Sequence, residues 1–147
     1  MKRLIGVLCA IFTMATILAT PAFADPVEPR ASAFFISYDS FIDVISPTEF
    51  EVWFDVVGAG TMEEIGVNSI EIQRSDDGQN WTTVQTCLPE DNPSMIHENT
   101  FFAYDSVTCY VFSGYYYRAY VSFYAKNSSG FGETYQYSEM VYLMTLK

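Results

Sequence analysis

The longest regular pattern in the chain is an alternation of side chains over residues 115–125. One set is apolar or aromatic throughout: Tyr115, Tyr117, Ala119, Val121, Phe123 and Ala125. Unbroken alternation with period two is typical of a β-strand that has one face in a hydrophobic core. Turn-forming residues follow at positions 127–132, and residues 140–144 alternate again. The sequence therefore predicts two strands joined by a turn.

Shorter patterns predict further strands upstream. Residues 50–56 alternate apolar with charged side chains, and the carboxylates of Glu51 and Asp55 place Trp53 beside them on the outer side. Gly58 and Gly60 are expected to end that strand, and residues 61–66 to form a short connection or one helical turn. Residues 68–74 and 81–87 are typical of a hairpin around a turn at 75–78.

The remaining segments are less regular. Residues 33–46 are expected to form a strand with a break at Asp39 and Ser40, and a helix is the alternative. Residues 88–100 are the longest break, and residues 101–111 form another strand. About seven short strands with frequent turns predict a single all-β domain, an antiparallel β-sandwich, over residues 33–147. Residues 25–32 contain two prolines and are expected to form a flexible tail.

Residues 1–24 have the features of a signal peptide. Lys2 and Arg3 precede an apolar run that ends at about residue 20, and the small residues Ala22 and Ala24 fit a signal peptidase site before Asp25. A transmembrane anchor is the alternative, but the run is short for a membrane span and no basic flank follows it. We therefore expect a secreted protein whose mature chain starts at Asp25.

The charge of the mature chain bears on its partners. Cleavage after Ala24 leaves 123 of the 147 residues, with five basic and 18 acidic side chains and a formal net charge of −13. Such a surface repels phosphate backbones and anionic lipid headgroups. Neither a nucleic acid nor a membrane is therefore expected as partner.

Cys87 and Cys109 are the cysteines that remain after cleavage, an even number in an oxidising compartment. One disulfide is the simpler interpretation, and two free thiols are the alternative. Their spacing matches no zinc site, and His97 is the one histidine of the chain. We expect neither a metal nor a cofactor.

Three features stand out around the strand at 115–125: the spacing of Gly114 and Tyr117, Ala125-Lys-Asn127 at the strand end and the loop Gly130-Phe-Gly132. Together they resemble the F–G region of fibronectin type III-like domains. Residues 70–84 resemble the C–C′ hairpin of the same domains, although Ser113 stands where that family usually has proline. The whole chain also resembles small secreted Gram-positive proteins built from a signal peptide and one such domain. These resemblances imply an Ig-like sandwich and no catalytic site.

Two places carry residues of the kind that catalytic or metal sites use. Ser75, Asp76 and Asp77 precede a glycine as in part of a calcium loop, but Thr86 stands where such a loop has a bidentate carboxylate, so we interpret them as a hairpin turn. His97 would need a nucleophile and an acid converging on it, and no hydrolase motif accompanies it. The sequence therefore favours a protein that is not an enzyme.

The outer row of the strand at 115–125 is the candidate binding surface. It consists of Tyr116, Arg118, Tyr120 and Tyr124, and Tyr142 is expected beside them on the next strand. Tyrosine and arginine are typical of binding hot spots, whereas a plain strand surface also favours tyrosine. We expect a secreted binding module whose partner is a protein or a glycan. A small secreted hydrolase and a structural subunit of an extracellular assembly are the alternatives.

Overall fold

The computed structural model describes residues 31–145. One helical turn, α1 (Ala31–Phe34), is followed by seven strands, and a 3₁₀ turn at Pro93–Met95 precedes the fourth. The strands are β1 (Phe35–Ser46), β2 (Glu49–Ser75), β3 (Thr82–Cys87), β4 (Ile96–Tyr110), β5 (Tyr116–Asn127), β6 (Gly130–Tyr137) and β7 (Val141–Tyr142). The predicted signal peptide with its cleavage site at Ala24 and Asp25, and residues 25–30 of the predicted tail, lie outside the described residues. Within residues 31–145, no helix is long and apolar enough to cross a membrane.

The strands form one antiparallel sheet, which confirms the predicted all-β class. The central strand of the sheet is β2, which is 27 residues long. The first half of β2 pairs with β1 on one side and with β4 on the other. Its second half pairs with β5 on one side, and with the start of β4 and then β3 on the other. β6 and β7 pair with β5, and the whole sheet curls into a half-barrel.

The hydrophobic core fills the concave side of the half-barrel. The inward side chains of β2 and β5 follow the predicted alternation, and these are buried: Phe50, Val52, Phe54, Val56, Ile70, Ile72, Tyr117, Ala119, Val121, Phe123 and Ala125. Trp53 lies on the outer side, as predicted, and its ring centroid is 6.4 Å from that of Phe41 and 5.2 Å from that of Tyr104. The period-two pattern therefore assigned the two faces of both strands correctly.

The predicted end of a strand at Gly58 and Gly60 is wrong, and so is the connection at 61–66. β2 continues through both segments but is irregular there. Between Val57 and Met62 its partner on the antiparallel β4 changes by only two residues, from Phe102 to Thr100. Gly60 has a φ of +143° in this stretch. The glycines thus mark a bulge at which the long strand bends, rather than its end.

The predicted break in the first strand is also wrong. β1 runs without interruption through Asp39 and Ser40, and its irregularities lie near its ends instead. The register shift between Phe35 and Ser37 buries Phe35 and leaves Ile36 72% exposed. A bulge reverses the faces of a strand, and local alternation does not reveal it.

The turn after β5 is shorter than predicted. Asn127 pairs directly with Gly130, so only two residues form the turn and β6 begins inside the predicted loop. The side-chain oxygen of Asn127 accepts a hydrogen bond from the backbone N–H of Ser129 (2.9 Å), which closes the turn. The strand predicted at 140–144 is reduced to the two residues of β7, and Leu143 after it is buried in the core.

Candidate binding surface

Four of the predicted binding residues lie on the outer side of β5. Tyr116, Arg118, Tyr120 and Tyr124 alternate with core side chains, so the geometry of the strand fixes their direction. The fifth residue, Tyr142 of β7, lies directly opposite Tyr116, and the two ring centroids are 4.8 Å apart. The structure therefore brings all five predicted residues to one side of the sheet.

β6 adds two tyrosines that the sequence analysis missed. Tyr137 lies opposite Tyr120 with ring centroids 4.6 Å apart, and Tyr135 stacks on Tyr120 at 5.6 Å with the ring planes 9° apart. Tyr135, Tyr137 and Tyr142 are 48%, 50% and 49% exposed. The signal that would have found the two new tyrosines is the alternation over residues 131–137, which the misplaced turn concealed.

Arg118 is clamped between two rings of the same surface. Its guanidinium carbon lies 4.3 Å from the centroid of the Trp81 ring and 4.1 Å from that of Tyr137. Its Nε donates a 2.8 Å hydrogen bond to Oε1 of Gln73 on β2. A guanidinium attracts aromatic faces and stacks on them because it is planar and weakly hydrated. Trp81, which immediately precedes β3, thereby joins the surface, although no local pattern in the sequence indicated this.

We name this surface the tyrosine face. It consists of Trp81, Tyr116, Arg118, Tyr120, Tyr124, Tyr135, Tyr137 and Tyr142. Packing and local charge raise the pKa of two of its hydroxyls. Desolvation raises the pKa of Tyr120, and Tyr137 and Tyr135 act in the same direction. Desolvation also raises the pKa of Tyr124, with the nearby Glu64 carboxylate adding to the effect. Both phenols therefore remain neutral hydrogen-bonding groups.

Residues 75–80, which resemble part of a calcium loop in sequence, form a turn that is held by the side chain of Asp77. Its Oδ1 accepts hydrogen bonds from the backbone N–H of Asn80 (2.8 Å), the backbone N–H of Gln79 (2.9 Å) and the Ser75 hydroxyl (2.8 Å). These bonds, led by the one from Asn80, hold the pKa of Asp77 well below its usual value. The carboxylate is thus tied into its own turn. Within residues 31–145, no group of three or more His, Cys, Asp or Glu side chains is placed to hold a metal ion.

His97 approaches an acid but not a nucleophile. Its Nε2 lies 3.5 Å from Oδ2 of Asp105, and both residues belong to β4. Among the described residues, the buried Nε2 has no hydrogen-bond partner of good geometry. A hydrolase of the Ser–His–Asp or Cys–His type pairs the imidazole with a hydroxyl or a thiol. The contact therefore provides the imidazole and the acid of such a catalytic arrangement but not the nucleophile.

Cys87 and Cys109 meet inside the half-barrel. Cys87 ends β3 opposite Ile70, Cys109 lies near the end of β4 opposite Phe50, and both are buried. The thiols are free in the structure, and the Cys109 thiol donates a hydrogen bond to the backbone carbonyl of Val107. The interaction between the two thiols lowers the pKa of Cys87 and raises that of Cys109. Two cysteines distant in sequence are thus near enough to interact, and the predicted disulfide between them stays a prediction.

No protein-family model matches the chain, and no curated protein is significantly similar to it. The face offers large apolar rings, several of them half exposed, with hydroxyls that donate and accept hydrogen bonds. The face thus combines apolar contact area with hydrogen-bonding groups.

Proposed function

We propose that the protein is a secreted, non-catalytic binding module whose tyrosine face contacts its partner, a protein or a glycan. The observation that carries the proposal is the dense, exposed packing of Tyr120, Tyr135 and Tyr137 across β5 and β6. Tyrosine covers a large contact area and loses little rotamer entropy when it is buried by a partner. Arg118, held between Trp81 and Tyr137, keeps the rings in place before binding, which reduces the entropy lost on association.

We further propose that the half-barrel is a variant of the fibronectin type III-like sandwich in which two consecutive strands are fused into β2. The strand neighbours support this: β1, the first half of β2 and β4 form one group, and β3, the second half of β2, β5 and β6 form the other. A second support is Tyr117, whose hydroxyl donates a 2.8 Å hydrogen bond to the backbone carbonyl of Phe112. A tyrosine bonded in this way to backbone a few residues upstream is a feature of Ig-like sandwiches.

The contact between His97 and Asp105 is the observation that favours the alternative, a small secreted hydrolase. A hydrolase should lose its activity on replacement of His97 by Ala, whereas the binding module should keep its affinity for the partner. A structural subunit of an extracellular assembly, the remaining alternative, would place the same face against its neighbours.

A photo-crosslinking experiment tests the proposal. p-Benzoylphenylalanine is introduced in place of Tyr135, on the tyrosine face, or in place of Tyr104, a similarly exposed aromatic (52%) on the outer side of the other half of the sheet. The secreted proteins are irradiated with native extracellular material, and the adducts are identified by mass spectrometry. We expect a defined adduct from position 135 that disappears in the Tyr120→Ala background. Adducts that form only from position 104 would contradict the proposal.

A further inference from the structure

The positive charges of the described chain are all engaged by its own side chains. Four of the seven basic residues lie outside residues 31–145, which leaves Arg74, Arg118 and Lys126. The guanidinium carbon of Arg74 lies 4.4 Å from the centroid of the Tyr115 ring, and Arg118 is clamped in the tyrosine face. Lys126 Nζ lies 4.0 Å from Oε2 of Glu64. The described surface therefore offers an anionic partner no cation that is free of internal contacts.

Carboxylates, in contrast, border the tyrosine face without cationic partners. Only two of the 18 acidic residues lie outside residues 31–145, so 16 lie within that range. Among them, Glu71 of β2 is opposite Tyr120, and Glu133 of β6 is opposite Tyr124. In the described part of the chain neither carboxylate forms an ion pair. Glu71 accepts a 3.3 Å hydrogen bond from the Thr83 hydroxyl, and Glu133 accepts one from the Asn68 amide.

The face already shows how it holds a guanidinium. Trp81 and Tyr137 lie on either side of Arg118 at 4.3 and 4.1 Å, and further ring surface of Tyr135 and Tyr142 remains exposed. Lysine and arginine can lay their aliphatic stems along such rings while their charged ends reach carboxylates. A neutral partner would leave the charges of Glu71 and Glu133 without a counterpart, and a phosphate- or sulfate-bearing partner would be repelled by them.

We infer that the tyrosine face binds a basic polypeptide segment, whose lysine and arginine side chains lie on its rings and reach Glu71 and Glu133. This inference rests on the proposed binding function and names the chemistry of the partner. Of the two partner classes proposed above, a protein or a glycan, it selects a protein.

A matched pair of charge variants tests the inference. The probe is a fluorescein-labelled nona-arginine peptide, and binding to the secreted protein is followed by fluorescence anisotropy. The first variant combines Glu71→Gln with Glu133→Gln on the tyrosine face. The control combines Glu51→Gln with Asp55→Asn, which removes the same charge beside Trp53 on the outer side of the first half of β2.

We expect the face variant to bind nona-arginine about tenfold more weakly or worse, and the control to lose less than about twofold. The affinity of the wild-type protein should fall as the salt concentration rises from about 50 to about 500 mM, because ion pairs at an exposed surface are screened. Tyr137→Ala provides a second variant of the face with unchanged charge, and it should also weaken binding. Circular dichroism establishes that each variant is folded.

Three results with these probes would overturn the inference. Absence of binding to nona-arginine is the first, and equal losses in the face and control variants, which would indicate attraction to net charge alone, are the second. The third is a chitosan hexamer that binds as tightly as the peptide at the same residues, since the partner class would then be a cationic glycan. If Tyr120→Ala abolishes capture of a partner while the glutamine variant binds it normally, the binding function stands and only the basic partner is wrong.

Discussion

Arg118 stabilises the tyrosine face through its planar shape as well as its charge. Lysine at this position keeps the charge but can neither stack between Trp81 and Tyr137 nor donate the directed Nε hydrogen bond to Gln73. We expect Arg118→Lys to lower the free energy of unfolding by about 1 kcal/mol, measured by urea denaturation. Lys126→Arg, in an exposed ion pair with Glu64, is the control and should change it by less than about 0.5 kcal/mol. Equal stabilities of the Arg118→Lys variant and the wild type would contradict a stabilising role for the stacking of Arg118 on Trp81 and Tyr137.

Tyr117 makes the free energy of unfolding depend on pH in the alkaline range. Desolvation raises its pKa above the usual value of 10.0, and its hydroxyl donates to the backbone carbonyl of Phe112. A raised pKa means that the folded state holds the proton more tightly than the unfolded state. The associated stability is therefore fully present below about pH 10 and is lost as the pH rises through the folded-state pKa.

Tyr117→Phe tests this dependence. At neutral pH the variant should be less stable by about 1 kcal/mol because a buried hydrogen bond is lost. That difference should narrow as the pH is raised above 10, when measured by urea denaturation at each pH. Tyr110→Phe, at an exposed position, should follow the wild type throughout. A constant difference between Tyr117→Phe and wild type at every pH would contradict the assignment.

At the scale of residues, the direction of a side chain was predictable and its partners were not. Period-two alternation placed Tyr116, Arg118, Tyr120 and Tyr124 on the outer side of β5. Which rings they touch depends on the register of β6 and on the position of Trp81, and both are set by pairing between segments distant in sequence. The contribution of Tyr135 and Tyr137 to the face followed only from that register.

Among the elements, β2 departs most from the sequence prediction. Its glycines are typical of strand ends, yet pairing with β4 resumes at Met62 and pairing with β5 begins at Glu64, so the strand continues beyond them. Gly66 has a further role, because its φ is +150° and a Cβ atom there would lie 2.0 Å from the carbonyl oxygen of Met95. The close approach of the Pro93–Met95 turn to β2 therefore requires glycine at this position.

We expect Gly66→Ala to destabilise the protein by about 3 kcal/mol or more, since it combines backbone strain with a clash against main-chain atoms. Gly60→Ala is a matched control, because Gly60 has a similar φ of +143° but a Cβ atom there would meet nothing within 4 Å beyond its chain neighbours. It should cost only about 1 kcal/mol of backbone strain. Urea denaturation measures both values, and equal losses in the two variants would show that the Met95 contact is unimportant.

A disulfide between Cys87 and Cys109 would tie β3 to β4 across the interior. The two thiols are both buried in the same core, and oxidation by the thiol–disulfide exchange systems of an oxidising compartment would close a loop of about 22 residues. We expect non-reducing peptide mapping of the protein, expressed into an oxidising compartment, to recover the bridged pair, and reduction to lower the free energy of unfolding by about 3 kcal/mol. Recovery of two alkylatable thiols from protein freshly isolated from that compartment would refute the bridge.

For the molecule as a whole, the composition and the alternation of the sequence were sufficient to predict the all-β class, because a strand with one buried face has a local signature. The curled single sheet was not predictable in the same way. It results from one 27-residue strand that bends at a bulge and serves both groups of strands, and such continuity is a property of long-range pairing. The tyrosine face is likewise assembled from β5, β6, β7 and Trp81, which no single segment of the sequence contains.

The most direct test of the tyrosine face is the affinity of the crosslinked partner for a double variant, Tyr120→Ala with Tyr137→Ala, measured by isothermal titration calorimetry. We expect affinity to fall by a factor of about 30 or more, equivalent to about 2 kcal/mol, while the fold is retained. Tyr104→Ala, from the outer side of the other half of the sheet, should bind as the wild type does. Unchanged affinity in the double variant together with lost affinity in Tyr104→Ala would contradict the assignment of the binding surface.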